Sequence, residues 1–165
     1  MTFLPAETYL AEHRVRFETM GHPLTQSSLE TAHQAGISPA QLIKSLVLWN
    51  GEYYLMCLLP ASHVLVLDWV DRETGFRHRL ASEEEVERLL QGCEPGAVPA
   101  LGQAFALPVL WDHCLSQLDD VYFEAGDHRH LIHMDGAEFR SLLDQDCAIS
   151  LSCTPDAAEH IHHIH

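Results

Sequence analysis

Lysine is nearly missing from this chain. The 165 residues contain eight arginines and a single lysine, Lys44, against 24 acidic residues, for a formal charge of −15. Phosphate contacts need Lys and Arg gathered in a patch, so this balance excludes nonspecific nucleic-acid binding, DNA included, and requires any polyanion to be met locally. Paired cysteines are missing too. Cys57, Cys93, Cys114, Cys147 and Cys153 are odd in number and dispersed, with no CxxC pair, which fits reduced thiols and an expected cytoplasmic location. No window approaches ~18 consecutive apolar residues, so no membrane span is expected. The first twenty residues carry Glu7, Glu12, Arg14 and Arg16 where a signal peptide has an apolar run. A Walker motif, a GxGxxG strand-to-helix turn and a Ser-His-Asp order are also lacking.

Apolar residues make up 47% of the chain, enough at this length for one domain with a core of its own. The clearest local signal is "SLVLWNGEYYLMCLLP". Its two apolar and aromatic runs flank Asn50-Gly51, the dipeptide favoured by a type I′ turn, and predict a central hairpin. Helices are expected at "PAETYLAEH", from about Ser27 to a stop at Gly36, in a short restart at Ser38-Pro39, and at "SEEEVERLLQG", where Ser82 and Glu85 form a capping box. "VRFETM", "FRHRL", "FALPVLWD" and "DDVYFEAGDHRHLIHMD" read as strands, and "GAEFRSLLDQ" as a last helix. Interleaved strands and helices with a tight hairpin predict a mixed-sheet α/β domain over residues 1–146. Residues 147–165, ending in "HIHHIH", are expected as a histidine-rich tail, with a short strand at Ala148 to Leu151 the one element in it.

Three features carry candidate chemistry. Lys44 lies where a helix end meets the apolar run Leu46 to Trp49. An ordinary lysine there lays its stem on apolar surface with the amine in water; a functional one grips a phosphate or carboxylate as a point charge. The loop "GCEPGAVPALG" has Gly96 and Gly102 to admit a ligand close to backbone, with Pro95 and Pro99 stiffening it. Histidines invite a metal reading. On a strand, His128 and His130 share a face and His133 points away, so a third ligand is not in reach and no metal or other cofactor is assigned.

Taken in order, these pieces resemble the YbaK/prolyl-tRNA synthetase editing-domain family, from about Tyr9 to Leu143. The resemblance runs through "YLAEHRVRFE", "HPLT", "GISPAQLIKSLVL", "LPASHVLVLDW", "RLASEEEVERL", "GCEPGAVPALG" and "VYFEAGDHRHLIHM". It implies a single α/β domain built on a strongly curved mixed sheet with surrounding helices. It also implies a trans-editing hydrolase that deacylates mischarged aminoacyl-tRNA, with a proline tRNA carrying Ala or Cys as the expected substrate. Lys44 would take the family lysine's role at the tRNA 3′ end, while a bound water and a ribose hydroxyl supply the chemistry. The substrate-binding positions implied are His22, Thr25, Ser45, Gly96, Pro99, Gly102, Gly126 and His130. The family's GxxxP element begins here at Gly96, but its fifth position is Ala100 and the proline comes one earlier, as Pro99.

The acidic composition pulls against unaided tRNA binding unless Arg72, Arg77 and Arg79 gather at the site or a prolyl-tRNA synthetase brings the tRNA. The alternative reading is a module of the same fold that binds a small ligand or a protein partner and has little hydrolytic activity.

Overall fold

The expected central hairpin lies in the middle of the main sheet. In the computed structural model, which describes residues 4–161 and 164–165, β2 (Ile43–Trp49) and β3 (Tyr54–Pro60) pair antiparallel, Ile43 opposite Pro60 and Trp49 opposite Tyr54. Four residues connect them, where the sequence predicts a two-residue type I′ turn. The reason is the Asn50 side chain, whose Oδ1 accepts from the amides of Glu52 and Tyr53, both at 2.9 Å, and closes a wider loop.

Alternation along the hairpin separates two cores. Ile43, Val47, Met56 and Leu58 join the larger one, with Trp111, Phe123 and Phe139. Leu48, Leu55, Cys57 and Leu59 face a smaller one with Leu65, Val70 and Leu151. The hairpin is therefore buried on both faces, which explains its near-continuous apolar sequence.

The main sheet has the order β5-β2-β3-β6-β9, adding β5 (Arg79–Leu80), β6 (Val109–Asp112) and β9 (Ala148–Ile149). β6 runs parallel to β3, and β9 parallel to β6. β1 (Glu18–Gly21), β8 (His130–Asp135) and β7 (Asp120–Glu124) form a separate antiparallel sheet, and β4 (Val64–Leu65) pairs with β10 (Ser152–Cys153). Among the described residues five α-helices complete a mixed α/β domain: α1 (Pro5–Glu12), α2 (Ser28–Ala35), α3 (Leu67–Thr74), α4 (Glu83–Leu89) and α5 (Gly136–Ser141). Among the described residues no helix is long and apolar enough to cross a membrane.

The α/β class is as expected, but one strongly curved sheet is not. The strands divide because β7 reaches β2 only through a bridge between Leu42 and Tyr122, while β5 pairs only with Leu48 and Trp49. Between those two points the edge of β2 is left without a neighbouring strand.

Helix ends follow their caps. Ser27 accepts from the amide of Glu30 to start α2, and Gly36 ends it in the left-handed region at φ 70°. Ser82 and Glu85 form the expected capping box of α4, although the helix ends at Leu90 and not at Gly92. Ser38 and Pro39 make a single turn, not a helix, closed by the Gln41 amide on the Ser38 carbonyl at 2.9 Å.

The segment expected as a tail joins the domain. Asp112 Oδ2 accepts from the amides of Leu151 and Ser152 and from the Ser152 hydroxyl, at 3.1, 2.9 and 2.7 Å, and Leu151 is fully buried. One buried carboxylate thus fixes the chain where β10 begins. Of the histidine-rich end, His162 and His163 lie outside the described residues.

Candidate active site

A cleft opens along the unpaired edge of β2. Its floor is Leu42 to Leu46, one end is the entry to α2 at Gln26 to Ser28, and its walls are Gly96, Val98 and Glu124; the volume is about 200 Å³. A second, more apolar cleft of about 350 Å³ adjoins it over Val47, Ala81 and Val86, and the two share Ser45, Leu46, Gly96 and Val98. The loop over residues 93–101 therefore roofs both. The Ser45 hydroxyl donates to the Val98 carbonyl at 2.8 Å, tying roof to floor.

Lys44 lines the smaller cleft. Among the described residues its ammonium makes no hydrogen bond or ion pair, in a chain with 24 acidic residues. Burial pulls its pKa below the usual lysine value. A partly desolvated cation left without a carboxylate is poised for an anion from outside.

Glu124 enters the same cleft from the end of β7. It is a buried carboxyl whose Oε2 lies 3.2 Å from His22 Nε2, and the Thr31 hydroxyl donates to Oε1 at 3.3 Å. Burial raises its pKa, opposed chiefly by the His22 charge and hydrogen bond. His22 is itself held by the Pro23 carbonyl, 2.7 Å from Nδ1.

The predicted positions divide into three groups. Lys44, Ser45 and Gly96 line the cleft. His22 and Thr25 stand behind it, buried, with Thr25 bonded to the Thr31 hydroxyl. Pro99 is buried under the roof, its carbonyl 3.5 Å from the Ser45 hydroxyl. Gly126 anchors the start of the loop, its carbonyl accepting from the Glu94 amide at 2.8 Å. Gly102 is remote: a Cβ there would meet Val109 Cγ2 at 2.6 Å, so this glycine serves core packing. His130 turns to Asp127 Oδ2 at 2.6 Å and lines neither cleft.

His128 does what the strand reading gave to neither histidine. Its backbone is left-handed at φ 61°, outside β8, and its Nε2 meets the Pro95 carbonyl, clamping the roof. The shared face with His130 is lost because the turn precedes the strand. Sequence reasoning also missed Glu124. The signal was a carboxylate closing the apolar run of "VYFE", where alternation with Val121 and Phe123 turns it away from the main core.

Elsewhere, His63, Asp112 and Cys114 place potential ligand atoms within 4.8 Å of one another. Asp112 is already committed to four donors, counting the Cys114 amide at 2.9 Å, and burial pushes the Cys114 thiol up to about 12. The cluster is built as a crossing point of the chain. A separate groove of about 690 Å³ lies among Glu18, Asp120, Asp135 and Glu138. It holds none of the substrate-binding positions implied by the sequence, and its four carboxylates outnumber Arg16 and His133.

Residues 22–142 match the family model described as the aminoacyl-tRNA editing domain. The chain belongs to that family. Aminoacyl-tRNA is accordingly the substrate class of the domain, and a deacylase role is supported. Among solved structures, the chain is similar at 25% identity and a TM-score of 0.78 to one described as "a putative trans-editing enzyme for prolyl tRNA synthetase", covering 93% of this chain and 99% of that one. It is similar in fold to hypothetical protein APE2540, at 20% identity and a TM-score of 0.77, over 90% and 99% of the two chains. A chain described as "a Putative signal transduction protein" from Marinobacter aquaeolei VT8 contains a similar fold at 18% identity and a TM-score of 0.66, over 81% of this chain and 27% of that longer one. No curated protein matches the sequence. Within this editing domain, the cleft at Lys44 combines a cation with a small volume.

Proposed function

We propose that the protein is a trans-editing deacylase that hydrolyses a mischarged proline tRNA carrying Ala or Cys, with Lys44 holding the 3′ end. The observation that carries this is the free ammonium of Lys44 in a cleft of about 200 Å³ beside Gly96 and Val98. A 3′ end brings a phosphate close to its ester, and one fixed cation orients both, converting hydrolysis into attack by a local water on a positioned carbonyl. The small volume supports a small aminoacyl side chain, and Val98 reaches into it from the loop that departs from the family GxxxP pattern. Selection by size alone gives roughly 10 to 200-fold per methylene, which is why a separate editing step has value.

The charge supports a partner in tRNA delivery. Arg72, Arg77 and Arg79 line neither cleft, and Arg79 is spent on Glu85 at 2.8 Å. With a formal charge of −15 on the chain, we assign tRNA capture to a prolyl-tRNA synthetase and hydrolysis to this chain, both acting in the cytoplasm. The test is release of amino acid from Ala-tRNA and Cys-tRNA of the proline acceptor, at low and physiological salt, with and without the synthetase. Hydrolysis enhanced by the synthetase is the expected result. A wild type that hydrolyses neither under any of these conditions contradicts the deacylase reading and leaves the ligand-binding module.

A further inference from the structure

Behind Lys44 the cleft holds a buried acid and base that the positioning role of the lysine does not use. The Glu124 side chain is 11% exposed and opens to the cleft, and that of His22 is 0% exposed. The Pro23 carbonyl can only accept, so at 2.7 Å the His22 Nδ1 carries a proton. That leaves one proton to be shared between Nε2 and Glu124 Oε2 across 3.2 Å. Either the pair is imidazolium and carboxylate, or neutral imidazole and carboxylic acid. The Thr31 hydroxyl lies 3.3 Å from Oε1 and 3.0 Å from the Ser27 carbonyl, so its one proton is divided between two acceptors, and Thr25 backs Thr31. The sharing is enforced from outside the pair by the proline carbonyl, which fixes the imidazole with Nε2 toward Glu124.

We propose that Glu124 is a catalytic residue of the deacylation, the general base and then general acid toward the attacking water, and that His22 is its positioning residue. This rests on the deacylase reading and assigns a protein group to proton transfer. In the first step a water oxygen bonds to the ester carbonyl carbon while the ionised Glu124 takes a proton from that water. In the second, the bond between carbonyl carbon and ribose oxygen breaks, its electron pair leaves with the oxygen, and Glu124 returns the proton there. The products are the free amino acid and a tRNA with its terminal hydroxyl restored, and the pair ends as it began. A positioned general base contributes typically 10² to 10⁴-fold.

The pH dependence has a definite sign. Three groups face the Glu124 carboxyl: His22 from the segment after β1, Thr31 from α2, and His128 from the β7–β8 turn, while Lys44 lines the same cleft without pairing with it. Burial raises the carboxyl above its ordinary 4.5, so activity should fall on its acid side above that value. The His22 charge opposes the rise, so removing it moves the acid limb to still higher pH.

The test is single-turnover deacylation of Ala-tRNA and Cys-tRNA of the proline acceptor across pH 4.5 to 8, for the wild type, Glu124→Gln, Glu124→Asp and His22→Gln, each checked for folding by thermal melting. Expected are a loss of about 100-fold or more in rate for Glu124→Gln with tRNA affinity within about threefold, partial activity for Glu124→Asp, and an upward shift of the acid limb for His22→Gln. If Glu124→Gln does not fold, the limb shift in His22→Gln decides. An active wild type whose rate and acid limb are unchanged by these substitutions overturns this inference alone. A wild type inactive on both tRNAs overturns the deacylase reading and this inference with it.

Discussion

The Ser45 hydroxyl and the Val98 carbonyl, 2.8 Å apart, join β2 to the loop that roofs the cleft, so that floor and roof move as one body. Ser45→Ala should therefore leave the fold intact, at a cost of about 1 kcal/mol for one lost hydrogen bond, and loosen the roof. A fall in kcat of roughly 10 to 100-fold, larger than any change in substrate affinity, is the expected outcome, since misplacement by about 1 Å costs that much. Steady-state kinetics on the mischarged tRNA measure it, and an unchanged kcat would show that the loop holds its place without this bond.

Lys44 sets activity against stability. Its ammonium is partly desolvated with no carboxylate among the described residues to offset that, and its pKa is pulled below the ordinary 10.5. The sign follows from this direction: the charged form is the disfavoured one in the folded state, so the penalty is present at neutral pH and fades only as pH rises through the lowered value. Lys44→Met should raise Tm by a few degrees, roughly the 2–4 °C that accompanies 1 kcal/mol in a domain of this size, while abolishing deacylation. A variant that melts lower than the wild type at pH 7 would mean that the lysine stem, not the charge, dominates at this position.

Two glycines with positive φ separate conformation from site. Gly96 has φ +81°, and a Cβ there would meet His128 Cε1 at 3.1 Å; Gly51 has φ +94° with open space around it. Both alanine variants should lose about 1–2 kcal/mol from left-handed strain. Only Gly96→Ala should also lose activity, because His128 and the Pro95 carbonyl it clamps must shift. Urea unfolding and deacylation assays on the pair check this, and equal activities would place Gly96 outside the working part of the roof.

Asp112 makes the C-terminal strand pair acid-sensitive. Burial raises its pKa, but hydrogen bonds from the Cys114 amide, the Ser152 hydroxyl and the Leu151 amide outweigh it, and the net direction is downward from 3.8. A depressed carboxyl stabilises the fold fully above its unfolded value and loses that contribution as pH falls through the folded one. Residues 150–161 should thus open to protease below about pH 4 before the main sheet does. Asp112→Asn, which sets an amide donor against one of those donors, should cost roughly 2 kcal/mol at neutral pH and open the same segment there. Cleavage confined to the main sheet would contradict it.

Much of this was legible in the sequence, for local reasons. Ser27 and Gly36, Ser82 and Glu85, and the flanks of Asn50-Gly51 act over a few residues, and each marks its element in the right place. Lys44, Ser45 and Gly96 line one cleft. What escaped depends on long-range pairing. The Glu124–His22 contact joins residues 102 apart, and nothing near either one announces the other. The wide turn at Asn50 was hidden in a side chain accepting two amides, and the place of residues 148–153 in the fold in a carboxylate some 40 positions earlier. His128 was misread because strand alternation was extended into a turn whose φ of 61° breaks it. Gly102, counted with the loop, is a core contact with Val109 and Met56.

The most direct test of the central claim compares wild type and Lys44→Ala in release of amino acid from Ala-tRNA and Cys-tRNA of the proline acceptor, at low salt and with prolyl-tRNA synthetase present. The account predicts clear release by the wild type and a loss of at least 100-fold in a variant that remains folded. Full activity in Lys44→Ala, or none in the wild type, would contradict it.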